Sequence, residues 1–455
     1  MRRIVNIGLF LALMLMVTDL FAGPVDGGKR LKAVAQFGMT IGAKDGRLVH
    51  TMTASDGTPT LYIYNYDKGY AVIAADDKSV PVVGYSDEGP IVWEEVPENM
   101  RWFLESLSEE MAAVIKNPDF DNKATAPLWD VLIEGSCQPV KSVVVGPLIS
   151  ANWSQGTYYN SLCPADASAS TSGGHVQVGC GAMVMGQVMR YWKYPEHGQG
   201  TSTYSCNYGT LSVNFADATY LYDSMPARLT SSSSPAQVEA VATLLYHCGV
   251  AVQMYYGPTA SVANSNNMVS ALSTYFKYPA SIEYHERGNL NITSWMNHLK
   301  AELDSLCPFF YGASGSYGGH VFVCDGYRDD DYLHLNWGWG GGYNGYYMVG
   351  GFNPGPYDFN SSHAVIVGIR GPELPDPPVG IDAPEQNTFA AYPNPTISMV
   401  TLAGVNPGTE LRLFNALGAE VLRTQYDGCP LDLSRFPCGI YLLRTPTASV
   451  KIAKQ

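Results

Sequence analysis

The sequence predicts an α+β protein made of units in series, and three observations carry that reading. Short strand-like runs followed by a one-sided apolar helix occupy the first part of the chain. A glycine-flanked cysteine opens an amphipathic helix near the middle, with glycine-rich strand patterns after it. A proline-rich stretch then leads into a tail that reads only as short strands. At 455 residues the chain has room for two or three domains, and its 46% apolar residues can build a sizeable core.

The first residues read as an export signal. Arg2 and Arg3 form a basic start, Ile4 to Val17 is almost wholly apolar, and Ala22 offers a small residue for cleavage. That apolar run is short for a membrane span, and no later stretch is long enough to cross a bilayer. We therefore expect a secreted or cell-surface protein with residues 1–22 as signal peptide and no integral span. Charged residues are only 15% and the net charge is −14. Nucleic acid and anionic lipid want basic patches, so neither is expected as a partner.

Three segments follow. In residues 23–141, Leu61-Tyr62-Ile63-Tyr64 and Tyr70-Ala71-Val72-Ile73 flank an Asp67-Lys68-Gly69 turn. After Pro97, Met100, Phe103, Leu104, Leu107, Met111 and Val114 share one helix face, which predicts a small α+β unit. Residues 142–370 hold the motifs that carry chemistry. Residues 371–380 form a stiff proline-rich linker. Residues 381–455 read as a small β-sandwich, with Leu411 to Phe414, Glu420 to Arg423 and Gly439 to Leu443 as strands.

Gly179-Cys180-Gly181 opens the central helix. Met185, Val188, Met189 and Trp192 recur at helical spacing, and Tyr194-Pro195 stops it. A cysteine in a first turn meets the positive end of the helix dipole, which favours the thiolate needed for acyl transfer. An inert buried thiol is the commoner fate of a lone cysteine. Cys163, before Pro164, is the nearest competitor, but no helix follows it. The count of nine cysteines is odd, and Cys429 and Cys438 in the tail can pair with each other.

A thiolate nucleophile needs a base. His320 stands at the mouth of a strand, after Gly318-Gly319 and before Val321-Phe322-Val323. The next strand, Tyr332 to Trp337, is expected to bring Asn336 beside His320, where an amide can fix the imidazole tautomer without adding charge. Trp337 can shield that bond from water. Asp325 is a rival orienter, but its odd spacing from His320 points it to the other face of the strand. His334 and His363 read as structural. The oxyanion needs donors: the Cys180 backbone N–H is one, and Gln155 is a plausible side-chain donor that spacing alone does not pick out. No cofactor or metal is expected. There is no Cys-x-x-Cys or His-Glu-x-x-His, and the glycines of 340–345 lead into a strand rather than the helix a dinucleotide site requires.

Together, Trp153-x-Gln155, Tyr159-Asn160, Cys163-Pro164, Gly179-Cys180, Gly319-His320-x-Phe-Val-x-Asp-Gly-Tyr327 and Asn336-Trp337-Gly-Trp-Gly-Gly341 resemble the streptopain family of papain-like cysteine peptidases. The resemblance implies a two-lobed papain-like fold, with Cys180 on a helical lobe and His320 on a β lobe. It implies a secreted endopeptidase made as a zymogen, with protein or peptide substrates. The first segment resembles that family's inhibitory propeptide at Gly69 to Asp76 and Val80 to Ser86. Such propeptides occupy or distort the active site, and Gln138 to Ser142 resembles the processing junction, which implies cleavage after Lys141. The tail resembles the sorting domain of type IX secretion, through Tyr392-Pro-Asn-Pro395, Gly439-Ile-Tyr441 and the basic end, which implies that machinery as a partner. The sequence departs from the family after the cysteine, where Gly181-Ala-Met-Val184 stands for the usual Val-Ala-Thr-Ala. That departure keeps two alternatives open: a catalytically silent surface adhesin or inhibitor, and a Cys–His acyltransferase.

Overall fold

The structure, a computed structural model, describes residues 23–372 except 42, 135–142, 289, 316–317, 329 and 350–362. It also describes 390–454 except 393, 395, 397–398, 416–419, 438 and 447, and it gives only the backbone at 171, 313–315, 318–320 and 390. The expected signal peptide (1–22), Lys141 and most of the expected 371–380 linker lie outside the described residues.

The N-terminal unit runs α1 (Gly27–Thr40), β1 (Arg47–Thr53), β2 (Pro59–Asn65), β3 (Tyr70–Ala74), β4 (Val82–Ser86), α2 (Glu98–Lys116) and α3 (Ala126–Ile133). Asp26 starts α1 by accepting from the backbone N–H groups of Gly28 and Lys29. Pro97 precedes α2, and Glu98 in its first turn and Lys116 in its last complement the helix dipole. The predicted apolar face of α2 is buried throughout, from Met100 to Val114.

The central domain holds β5 (Val143–Val145), α4 (Cys180–Trp192), β6 (Thr201–Cys206), β7 (Gly209–Asn214), α5 (Pro235–Ala251), α6 (Ser265–Tyr275), β8 (Glu283–Glu286) and α7 (Ile292–Asp304). It continues through β9 (Phe309–Gly315), β10 (Gly318–Arg328), β11 (Leu333–Asn336), β12 (Gly345–Tyr347) and β13 (Ala364–Val367). Around α4, α5 and α6 lies a helical lobe with its own core, built on Trp153, Met185, Val188, Leu244, Leu245 and Phe276. The second lobe is a sheet, and α4 packs against its strand β10.

That sheet does not stop at the domain boundary. Its order is β1-β2-β3-β4-β12-β11-β10-β9-β13-β8, with β5 attached to β10. The seam is the β4–β12 pair, where Tyr85 faces Tyr346 and Gly84 faces Tyr347. The N-terminal strands therefore extend the β lobe, and one core joins Phe103, Leu107 and Trp129 to Phe322, Leu335 and Trp337. The sequence reads the first segment as a unit of its own; the structure gives it helices of its own but a shared sheet and core.

The tail has β14 (Ala390–Tyr392), β15 (Met399–Ala403), β16 (Glu410–Asn415), β17 (Glu420–Gln425), β18 (Leu431–Asp432), β19 (Gly439–Arg444) and β20 (Ser449–Lys454). They form two sheets, β14-β15-β18 and β17-β16-β19-β20. Their core is built from tail residues such as Val400, Leu411, Leu413, Leu443 and Ile452. Cys429 is disulfide-bonded; Cys438, its expected partner, lies outside the described residues. Among the described residues no helix is long and apolar enough to cross a membrane.

Candidate active site

Gly179 decides how Cys180 is presented. Its φ is +90°, and a Cβ there would lie 2.6 Å from Met254 Cε and 3.0 Å from the Ser261 carbonyl oxygen, so only glycine fits. No side chain caps the helix. Its first N–H groups are thus left for the sulfur, and those of Gly181 and Cys180 itself favour the thiolate, as does the N–H of Val321. Behind the sulfur, Gly181 to Met189 are buried. Gly181, the family departure, is not forced by packing: a Cβ would meet Met268 Sδ at an ordinary 3.5 Å.

Cys180 is partly exposed and opens onto a cleft of about 260 Å³. Gln155, Gln177 and Trp339 line it from the central domain, and the run Glu94 to Asn99 lines it from the N-terminal unit. Gln155 is buried, and its carbonyl accepts from the Val178 N–H at 3.0 Å, which ties its loop to the run entering α4. Burial pushes the Cys180 thiol up; the three backbone N–H groups oppose this and the Glu98 carboxylate adds to it. Cys163, by contrast, is buried with its thiol pushed up to about 12, mainly by desolvation, which fits an inert core residue.

The backbone of His320 pairs with Ala313 of β9, near the start of β10; its side chain lies outside the described residues. The neighbouring Val321 N–H reaches the Cys180 sulfur. Chain segments 141 positions apart thus meet at the thiol, with His320 next in sequence.

Strand pairing sets Asn336 opposite Val323, not beside His320. The hairpin turns tightly after Arg328, so its arms pair only at equal distances from the turn, and a bulge at Cys324/Gly326 shifts the count once more. Asn336 is buried. Its Oδ1 accepts from Gln187 Nε2 at 3.2 Å and the Gly338 N–H at 3.1 Å, while its Nδ2 donates to the Ala151 carbonyl at 3.1 Å. Its acceptor capacity is filled, and it ties α4, the 151 loop and the 338 turn together. Trp337 is buried as expected. Its ring stacks obliquely on Phe322 at 4.6 Å and its Nε1 donates to the Tyr343 carbonyl at 2.9 Å.

Asp325 is engaged with His334 and the 149 loop. It is fully buried, with Oδ1 at 2.6 Å from His334 Nδ1 and Oδ2 accepting from the Ile149 N–H at 2.9 Å. His363 is also buried, against the Tyr311 hydroxyl and 3.6 Å from Glu110. Both histidines are structural in this arrangement.

Sequence reasoning missed Asn99. From the start of α2 its Nδ2 donates to the Trp337 carbonyl at 2.9 Å and approaches the Val321 carbonyl at 3.4 Å. Four residues on, Phe103 packs on Trp337 at 5.4 Å and on Phe322 at 5.9 Å. The helix face of α2 was legible, but its target lies more than two hundred residues away and left no local signal.

Comparison with known proteins assigns three segments of the chain. Residues 153–347 match the peptidase C10 family, residues 29–111 the Spi protease inhibitor family, and residues 390–455 the secretion system C-terminal sorting domain. The chain is 30% identical to the thiol protease/hemagglutinin PrtT of Porphyromonas gingivalis over 348 residues, which is 73% of this chain and 38% of that protein. It is 29% identical to streptopain of Streptococcus pyogenes serotype M1, over 68% of this chain and 80% of streptopain. A solved fragment of Prevotella intermedia prointerpain A superposes with a TM-score of 0.59 at 28% identity, covering 72% of this chain and all of the fragment. Residues 153–347 are thus a peptidase C10 (streptopain family) domain, with a Spi inhibitor-like prodomain before it and a C-terminal sorting domain after it.

Proposed function

We propose that the chain is the precursor of an exported cysteine endopeptidase. The observation that carries this is the Cys180 sulfur at an uncapped helix start, sharing one cleft with Gln155 and meeting the backbone N–H next to His320. The Cys180 thiolate attacks the substrate carbonyl carbon. The oxyanion accepts from the Cys180 N–H and the Gln155 amide. His320 protonates the leaving amine and a thioester remains. Water, deprotonated by His320, then releases the acid and restores the thiolate. Asn336 holds the walls of the site together through Gln187, Ala151 and Gly338. Trp337 keeps the base side dry and offers its carbonyl as an orienting acceptor once Asn99 leaves it.

The prodomain acts as an intramolecular inhibitor. Its Glu94 to Asn99 run walls the cleft and its Glu98 opposes thiolate formation. Processing after Lys141 frees it, as the sequence at the junction implies. The tail serves type IX export to the cell surface or medium, with the leader opening that route. Protein and peptide substrates are expected, without cofactor.

Labelling with an epoxide inhibitor tests the reading. After removal of the prodomain, one inhibitor molecule should add at Cys180, and labelled protein should no longer digest casein. Full labelling elsewhere, or none, would favour the silent surface scaffold. Transfer products with added amines would favour an acyltransferase.

A further inference from the structure

Beside the cleft lies a second cavity of about 540 Å³. Ser154, Thr157, Tyr158, Arg228 and Gly340 bound it, and no prodomain residue does. Gln177 and Trp339 line both spaces, so the cavity continues the groove that holds Cys180.

Its charge is one-sided. Arg228 is the single ionised side chain of the lining, and no carboxylate faces it there. Arg328, Arg370 and Arg423 are held by acids, Asp330, Glu302 and Glu420 respectively. Arg228 makes no ion pair or hydrogen bond with a described residue. Its guanidinium lies against Gly340, where a Cβ would come 3.4 Å from Nη2, and the φ of +69° at that turn also asks for glycine. The Arg228 side chain is exposed at the rim of the cavity, so its guanidinium can be reached by a ligand.

Two buried polar atoms on the shared wall also have no partner: Trp339 Nε1 and Gln177 Oε1. The Gln177 amide nitrogen donates to Ser172 Oγ at 2.5 Å, so the oxygen is the free end. A donor and an acceptor thus border the same space, and a buried polar atom normally finds a partner. Tyr158, at the rim, holds φ of +78° while partly exposed, an unfavourable conformation for an aromatic residue. Such outliers gather where a ligand is gripped.

Position sets the ligand. Trp339 and Gly340 follow Trp337, whose carbonyl lies near that of Val321, the β10 residue next to His320, so that Asn99 Nδ2 reaches both. The base gives its proton to the leaving amine, so that side receives the residues C-terminal to the cleaved bond. We propose that this cavity is a subsite for an acidic side chain on the leaving-group side, with Arg228 as its specificity residue. The inference rests on the peptidase reading above. A guanidinium fork fits a carboxylate in two bonds. The prodomain run that lines the adjoining cleft is itself acidic, through Glu94, Glu95 and Glu98.

The test uses amidated peptides that differ only by Glu, Gln or Lys at each of three positions after the cleaved bond. With the processed enzyme, Glu should exceed Gln at one position by about five- to tenfold in kcat/KM. The preference should shrink with salt. Arg228→Gln should bring the Glu/Gln ratio to about one, and Arg228→Glu should turn the preference to Lys. A ratio that Arg228→Gln does not change overturns the subsite, while cleavage of all the peptides keeps the peptidase reading. Peptides ending in a free carboxylate separate the two sources of negative charge: if only they depend on Arg228, the cavity reads chain ends and the proposal fails. Calorimetry of short amidated Glu and Gln peptides on the full chain carrying Cys180→Ala reads the cavity without turnover. Tighter Glu binding that Arg228→Gln removes supports the subsite even if no hydrolysis is seen, and equal binding of the two peptides overturns it.

Discussion

The prodomain and the tail flank the same central domain but attach to it by different physics. The prodomain adds four strands to the β lobe through β4–β12 and shares one hydrophobic core with it, Phe103 touching Phe322, Trp337 and Tyr347. The tail has its own two sheets and a core drawn from its own residues. An inhibitor that must reach buried catalytic groups gains from being continuous with their strands. A sorting module that is read from outside needs only to fold by itself.

Removal of each partner should break the symmetry most plainly. A chain ending at residue 380 should unfold within a few degrees of the precursor. A chain starting at 142 should refold poorly and lose ten degrees or more in Tm, on the order of what several lost kcal/mol cause in a domain this size. Calorimetric scans check both. Equal losses would mean that the shared core contributes little.

Phe103→Ala is the next largest. Deleting a fully buried aromatic side chain costs about 3–5 kcal/mol, here at the contact between inhibitor and enzyme. The processed prodomain carrying it should bind the enzyme at least a hundredfold more weakly, by roughly that energy. Inhibition assays with separately added prodomain measure this.

Asn99→Ala should cost less, about 1–3 kcal/mol, because the buried Trp337 carbonyl loses its donor. The expected outcome is faster self-processing with an unchanged precursor fold, read by circular dichroism and gel time courses. A processing rate equal to wild type would mean that this contact does not hold the inhibitor in place.

The smallest effect is electrostatic. In the precursor the Cys180 thiol lies above its ordinary value of 9.0, through burial first, with Glu98 adding to it. Thiolate grows with pH, so alkylation of the precursor should keep rising beyond pH 9. Glu98→Gln should move the midpoint down, as should release of the prodomain. Iodoacetamide rates across pH give both shifts. A midpoint that ignores Glu98 would assign the whole effect to desolvation.

Some of this was legible in the sequence. The helices after Gly179 and Pro97 both formed where their apolar periodicity places them; the second buries its expected face, while the first is buried all round from Gly181 to Met189 instead of on one side. Asp325, ranked below Asn336 as a partner for His320, is paired with His334 instead. The register of Asn336 was not legible, because it depends on a bulge whose cause is three-dimensional. Nor were Asn99 and the β4–β12 seam, which join residues more than two hundred positions apart. Local patterning names the elements and their faces; the pairing of distant edges is decided by packing.

The most direct test follows the full precursor from residue 23 onward, beside its Cys180→Ala variant, by intact mass under reducing conditions. The account predicts that the wild type loses the prodomain through a cut after Lys141 and then digests casein, while the variant stays whole. A variant that processes itself as fast as the wild type, or a wild type that stays inert even after tryptic removal of the prodomain, would contradict it.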